Sequence, residues 1–377
     1  MNSSREEQSI LADAGRIHRA VRADAGGYEI RQAIVGGIER GRRRSRQTRL
    51  SRGSFIGLAA AAAVAVILFF IPVIHDAAPR TASPPEAVNW GGLEMFKRLY
   101  SFDSEAPTLD SAIRHGYIQE INQIAASGKY KITLNAITAD ENKIIFLYTA
   151  NVAEGQEIYG ISSARIKNLT TGNYLDGSDQ IGGHDERGGP LENRIYYGRG
   201  VIDLDRSQPF PEQLEADFQI ASVDPGKLKD PKTGTNVANM HYSPRLKIHF
   251  KLDPKFKQQK TVIVKPEKDF MLEGVQVTLE QVELSPLKIR TVVKMKNEDE
   301  NTWENRHKVF SAGYGKTIQS ITKYGTTELW SPGGMGTDQG SEWYYGSNLL
   351  DQPKSMNMII KTGTGKSVKE ITLPILP

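Results

Sequence analysis

The spacing of apolar positions changes three times along the chain, and each change marks a different kind of element. Near the N-terminus, Ile10, Ala14, Ile17 and Val21 recur at steps of three and four residues, and Ile30, Ile34 and Ile38 recur at steps of four. Each set lines one face of a short helix, and Gly26-Gly27 separates the two. Helices this short bury too little surface to stand alone. Either they stay frayed or lie on a membrane, or they fold into a partner's groove with the isoleucine stripe inward.

The second pattern is an unbroken apolar run. Phe55 to Ile74 reads FIGLAAAAAVAVILFFIPVI, twenty residues without a charge. As an α-helix it spans roughly 30 Å, the thickness of a bilayer core. Pro72 stands near its exit, where a missing hydrogen bond matters least. Residues 75–92 follow with Pro79, Pro84 and Pro85 among small polar residues, the composition of a linker.

Beyond the linker, Leu93, Phe96, Leu99 and Tyr100 predict a short helix. Thr108 reads as the N-cap of a second, with Leu109, Ala112 and Ile113 inward and Gly116 as its stop. The period then falls to two. Tyr130, Ile132, Leu134 and Ala136 alternate with polar residues, and residues 143–152 are apolar on both faces, as in a central strand covered on both sides. Residues 117–125 fit helix or strand, with a strand favoured, running into a turn at Ser127-Gly128. Further strands are expected at 194–204, 214–222 and 245–252, and residues 225–244 form a long loop.

From about residue 257 a second unit begins. A slip of parity between Leu279 and Val282 predicts a β-bulge at Glu280-Gln281. Ser285-Pro286 makes a turn, after which Leu287, Ile289, Val293 and Met295 resume the pattern. Strands are expected at 308–314, 326–330, 342–347, 355–361 and 368–375. The predicted fold is mainly β: a single transmembrane helix, then two antiparallel β-sandwich-like units, with short helices opening the first. The segments are a tail (1–54), the membrane helix (55–74), the linker (75–92), a β-rich unit (93–256) and a C-terminal sandwich (257–377).

Charge sets the orientation. Residues 1–54 hold twelve Arg, no Lys and six acids, whereas everything after them carries a net −2. Arg40, Arg42, Arg43, Arg44, Arg46, Arg49 and Arg52 stand directly before the apolar run, and only Arg80 appears between it and Lys97. The positive-inside rule places the N-terminus in the cytoplasm and the bulk outside the cell membrane, where the anchor's partner is membrane lipid. Because topology accounts for the arginines, no nucleic-acid surface is inferred. The chain has no cysteine, which excludes a disulfide framework, a thiol nucleophile, a cysteine zinc site and a lipid-modified anchor.

Four segments carry a family resemblance: EIRQAIVGGIERGRRR before the anchor, then TLDSAIRHGYIQEINQ, KYKITLNAITADENKIIFLYTAN and MLEGVQVTLEQVELSPLKIRTVV. They resemble Gram-positive bacterial membrane proteins with an uncharacterised extracytoplasmic domain followed by an immunoglobulin-like one. Members are often described as anti-sigma factors of the extracytoplasmic-function type. The resemblance implies that the tail binds a sigma factor, with Ile10, Ile17, Val21, Ile30, Ile34 and Ile38 as its docking face, while the outer units receive an envelope signal of unknown chemistry. The alternative is an envelope binding or structural protein whose tail only sets topology.

Nothing in the motifs points to an enzyme or a cofactor. Residues 362–367 (TGTGKS) end like a phosphate loop, but Ile360 stands where that loop needs glycine, so a hairpin turn is expected. Gly333-Gly334-Met335-Gly336 has Gln339 in place of the third glycine of a dinucleotide fingerprint and reads as a loop. The seven histidines share no zinc-helix spacing. Residues 182–187 read as a solvated loop, and the acidic residues 297–301 as an exposed hairpin tip. Asp203 and Asp205 are expected on one side of a strand, about 6–7 Å apart, a separation that glycosidases use, with no second feature in support. Trp330, Trp343, Tyr344 and Tyr345 fit either a docking surface or a core.

Overall fold

The computed structural model describes residues 87–99, 104–175, 178–183, 192–226, 240–312, 316–362 and 368–376. The tail, the apolar run and most of the linker lie outside these residues, and with them all seven topology-setting arginines and all six residues of the docking face. Among the described residues no helix is long and apolar enough to cross a membrane. They are mainly β, in four antiparallel sheets.

In the first sheet, β1 (Gln119–Ser127), β2 (Tyr130–Ala139), β3 (Lys143–Val152), β6 (Ile195–Asp203) and β5 (Ser178–Gly183) lie side by side in that order. A second sheet is built on β7 (Gln213–Val223). β4 (Glu157–Asn168) pairs with one edge of β7, and β8 (His241–Tyr242) and β9 (Leu246–Lys251) pair with it as well. One core lies between the two sheets, and the rings of Phe146, Tyr148 and Phe218 meet across it. The strict alternation of β9 appears as Leu246, Ile248 and Phe250 buried and their neighbours exposed.

The other face of the first sheet is covered too. Helices α1 (Glu94–Leu99) and α2 (Ala106–Arg114) lay Trp90, Phe96 and Leu109 over Ile145, Leu147 and Val201. That is why β3 is apolar on both sides. The same packing revises two expectations. A bulge between Leu134 and Ala136 turns Ala136 to the helix side and brings Ile137 into the inter-sheet core. Thr108 is not a cap; it lies within α2, and its hydroxyl accepts a hydrogen bond from Ser347 N–H at 2.8 Å.

The C-terminal part has a separate core between two further sheets. One runs β10 (Val262–Val264), β12 (Val275–Leu284), β13 (Ile289–Met295), β17 (Gly340–Tyr345), β16 (Gly333–Thr337), with β11 (Lys268–Leu272) also paired to β12. The other runs β15 (Gly325–Trp330), β14 (Thr317–Thr322), β18 (Ser355–Thr362), β19 (Lys369–Leu376). The predicted bulge is present, as a register shift between Leu279 and Gln281.

Three readings are overturned here. Of the strand expected at 308–314, the described residues 308–312 form none: α3 (Trp303–Ser311) runs through 308–311, with the Thr302 hydroxyl accepting from Asn305 N–H. The acidic residues 297–301 lead into it through a 3-10 turn and do not form a hairpin tip. The glycine run 333–336 is strand β16, which needs no large side chains because it only edges the sheet.

A polar seam joins the two double layers. The Arg114 guanidinium donates to both Asp351 oxygens at 2.7 Å, and His115 Nε2 lies 3.0 Å from the same carboxylate. Asp140 Oδ1 accepts from Asn142 and Lys143 N–H, while Oδ2 accepts from Leu287 N–H, all at 2.8 Å. Leu287, expected in the second core, crosses the seam and packs in the first. Removing one partner of such a buried pair is strongly destabilising, because it leaves an uncompensated buried charge.

Candidate functional site

Between β6 and β7 the chain makes a nine-residue loop, Leu204-Asp205-Arg206-Ser207-Gln208-Pro209-Phe210-Pro211-Glu212. The Asp205 carboxylate accepts from the Ser207 N–H and hydroxyl at 2.9 and 2.7 Å, and Gln208 N–H closes a β-turn on the Asp205 carbonyl at 3.0 Å. These bonds lower the Asp205 pKa below its ordinary value, the Ser207 hydroxyl first. Two prolines stiffen the remainder of the loop. The turn presents Arg206 toward the C-terminal sheet, where it donates to Glu283 at 2.6 Å.

The receiving surface is laid out by register. Glu283, Arg290 and Tyr344 stand opposite one another across β12, β13 and β17, and Glu342 lies two residues from Tyr344 on the same face. Arg290 donates to Glu283 at 2.7 Å and forks onto both oxygens of Glu342, with Nε at 2.8 Å. The Tyr344 hydroxyl donates to Glu342 at 3.1 Å. Lys288 lies 4.4 Å above the Tyr344 ring and donates to Asp203 at 2.8 Å, which closes the chain of pairs back onto β6.

Two clefts open on either side of this loop and share Leu204, Asp205 and Arg206. The one on the C-terminal side holds about 440 Å³ and is walled by the charged pairs just described. The other holds about 690 Å³ and runs between the loop and the turn at residues 168–175, with Tyr174, Phe210 and Pro209 on its walls. Tyr174 is fixed at both ends: its hydroxyl donates to Asp217 at 2.6 Å, and the Arg165 guanidinium lies 4.1 Å over its ring. The two clefts flank the same stretch of the loop, and together they are termed the loop groove.

The groove's titratable groups are set for binding. The Arg290 guanidinium, bonded to Glu342, holds that carboxyl below its ordinary pKa, and Glu342 in turn raises Arg290. Burial, helped by Glu342, pushes the Tyr344 phenol up to about 12. At neutral pH the site therefore offers fixed acceptors and fixed donors, and the Glu342 carboxyl holds no proton to give as a general acid.

Of the residues singled out in the sequence, the groove collects some and scatters others. Asp203 ends β6 and binds Lys288, whereas Asp205 sits in the following turn, so the two do not face one another from a strand. Tyr344 lines the groove; Trp343 and Tyr345 are core; Trp330 stands half exposed on β15. His249 meets Glu215 at 2.7 Å on the second sheet, and His307 stacks on Trp303, both away from the groove. Arg206, Glu283 and Arg290 carried no motif. The one local signal was the Asp-Arg-Ser sequence before two prolines, which predicts a rigid turn with an arginine at its tip.

No protein-family model matches the chain, and no curated protein matches it. Among solved structures it is similar to one described as the crystal structure of the conserved domain protein from Bacillus anthracis. The identity is 13% and the TM-score 0.42, over 69% of this chain and 91% of that one.

Proposed function

We propose that the chain is a single-pass membrane regulator of the anti-sigma type. In this reading Phe55 to Ile74 is the anchor and the arginine-rich tail lies in the cytoplasm. Outside the cell, two antiparallel sandwiches, the second immunoglobulin-like, form the receiving part, with the loop groove as its ligand site. The observation that carries the reading is an uncharged twenty-residue run with seven arginines immediately before it and one after, attached to a body of net charge −2. The seam supports the receiving role. Ligand contacts on the 204–211 loop reach Glu283 directly through Arg206, so occupancy is felt by both double layers.

The output is tested at the tail. Full-length chain solubilised from its own membranes should co-purify a sigma factor. Ile17→Asp or Ile34→Asp, which places a carboxylate in the apolar stripe, should abolish that recovery while leaving membrane insertion intact. A chain that holds no sigma factor at micromolar concentration removes the anti-sigma output. It would leave the envelope-binding alternative, in which the tail only sets topology.

A further inference from the structure

The groove around residues 204–211 has a chemistry that narrows its ligand, and we infer that it binds a neutral oligosaccharide. The inference rests on reading that groove as the receiving site, and three features carry it.

The first is charge balance. The walls carry Arg206, Arg290, Lys257, Lys260 and Lys288. Against these stand Glu141, Asp203, Asp205, Glu283 and Glu342. The bases are already engaged with acids: Arg206 and Arg290 on Glu283, Lys288 on Asp203, Lys260 on Glu141, Lys257 on the neighbouring Glu212. With five charges of each sign the groove projects no net field to draw in a polyanion or polycation.

The second is the state of the backbone. An extended peptide binds by adding to a row of free N–H and C=O groups. Here the loop and the 168–175 turn spend much of their backbone internally, with Asn168 N–H on Asn173 O, Gly172 N–H on Asn168 O, Leu204 N–H on Asn142 O and Gln208 N–H on Asp205 O, and strands β12, β13 and β17 on the C-terminal side pair with one another. Pro209 and Pro211 have no N–H to give.

The third is what remains free to bond. The side-chain amide of Asn173 borders the larger cleft, the Gln208 amide keeps its carbonyl oxygen and one N–H beyond its 3.4 Å bond to the Ser207 hydroxyl, and the Thr171 hydroxyl keeps its proton. Lys288 and Arg290, each held by an acid, keep further N–H donors beyond those bonds. Alternating donors and acceptors of this kind match a row of sugar hydroxyls. The rings of Tyr174 and Phe210 line the larger cleft and offer the C–H face of a pyranose an apolar surface to pack on. The larger cleft, about 690 Å³, lies within the size range of small-molecule sites.

The test uses the full-length chain in nanodiscs, titrated with a panel of short neutral oligosaccharides with and without N-acetyl groups. Heparin, polyphosphate and an uncharged extended peptide serve as comparisons, and amide hydrogen exchange maps what is covered. The expected result is binding of a neutral member, with protection confined to residues 168–175 and 204–211. Asn173→Ala and Gln208→Ala are exposed changes that leave the seam untouched. Each should weaken binding about tenfold, the worth of one well-made hydrogen bond to the ligand. If no neutral sugar binds at millimolar concentration, the sugar assignment is overturned. If instead the peptide or a polyanion protects these segments, the groove stands with a different ligand. Sugar binding that is indifferent to both variants and protects another surface overturns the groove itself.

Discussion

Gly198 and Gly200 lie on β6 directly opposite Tyr148 and Phe146 of β3. A Cβ on Gly198 would stand 2.1 Å from Tyr148 Cζ, and one on Gly200 would stand 2.1 Å from Phe146 Cζ. The two rings lie over β6 and reach Phe218 in the facing sheet, at centroid distances of 5.1 Å from Tyr148 and 6.3 Å from Phe146. Each glycine thus supplies the space that lets a ring lie flat across the neighbouring strand. Gly200→Ala must displace the Phe146 ring from a close-packed interior, and overpacking of this kind costs about 1–3 kcal/mol. Denaturant unfolding should show that loss. Phe146→Leu added to Gly200→Ala should recover part of it, because the smaller side chain vacates the space the new methyl needs. If the two losses simply add, the ring and the glycine are not coupled as described.

At the scale of elements the seam is the feature to test. Asp351 is 6% exposed and accepts a two-pronged bond from Arg114, which is 15% exposed. Asp351→Ala leaves that guanidinium, and His115 beside it, facing a carboxylate that is gone. Losing one partner of such a buried pair destabilises by about 3–5 kcal/mol. The expected calorimetric result is that the one main transition of the β-rich part divides into two, since each double layer keeps its own core. A variant that still melts in one transition at the original temperature would show that the seam does not couple the layers. None of this coupling was legible in the sequence, because its contacts join residues such as Arg114 and Asp351, 237 positions apart. What was legible is what period and burial dictate locally: β9 by alternation, β3 by its two apolar faces, and the bulge at Leu279 and Gln281 by a slip of parity. Strand β4 escaped notice because register shifts at Ile158/Gly160 and Ile161/Ser163 interrupt its alternation. Helix α3 was mistaken for a strand because it buries Val309 while leaving Trp303 exposed. It therefore shows no apolar stripe, and its surest sign was Thr302 three residues before Asn305. Glycine gives edge strand β16 the look of a loop, as it does Gly182-Gly183 at the end of β5. The groove was hidden in the same way as the seam, being assembled from the 204–211 loop, the 168–175 turn and three strands of another sheet.

For the molecule as a whole, the proposed function requires that residues 55–74 span a membrane with the β-rich part outside, and charge near the ends of that run would set the orientation. Only basic residues close to the ends of an apolar segment bias its insertion; acids count for little, and long following domains translocate regardless of charge. The near-neutral body therefore exerts no orienting pull, and the decision falls to seven arginines before Phe55 against the single Arg80 after Ile74. Replacing Arg40, Arg42, Arg43, Arg44, Arg46, Arg49 and Arg52 with glutamine takes that balance from seven against one to none against one, so its sign reverses. The β-rich part of the variant should then be found on both sides of the membrane, in proportions that further changes at Arg80 shift. Protease added to intact cells reads the outcome directly: it should digest the C-terminal portion of the wild-type chain completely and that of the variant only in part. Complete protection of the wild-type C-terminal portion would place the groove in the cytoplasm, beyond reach of any envelope ligand, and would end the proposal that this chain carries a signal inward.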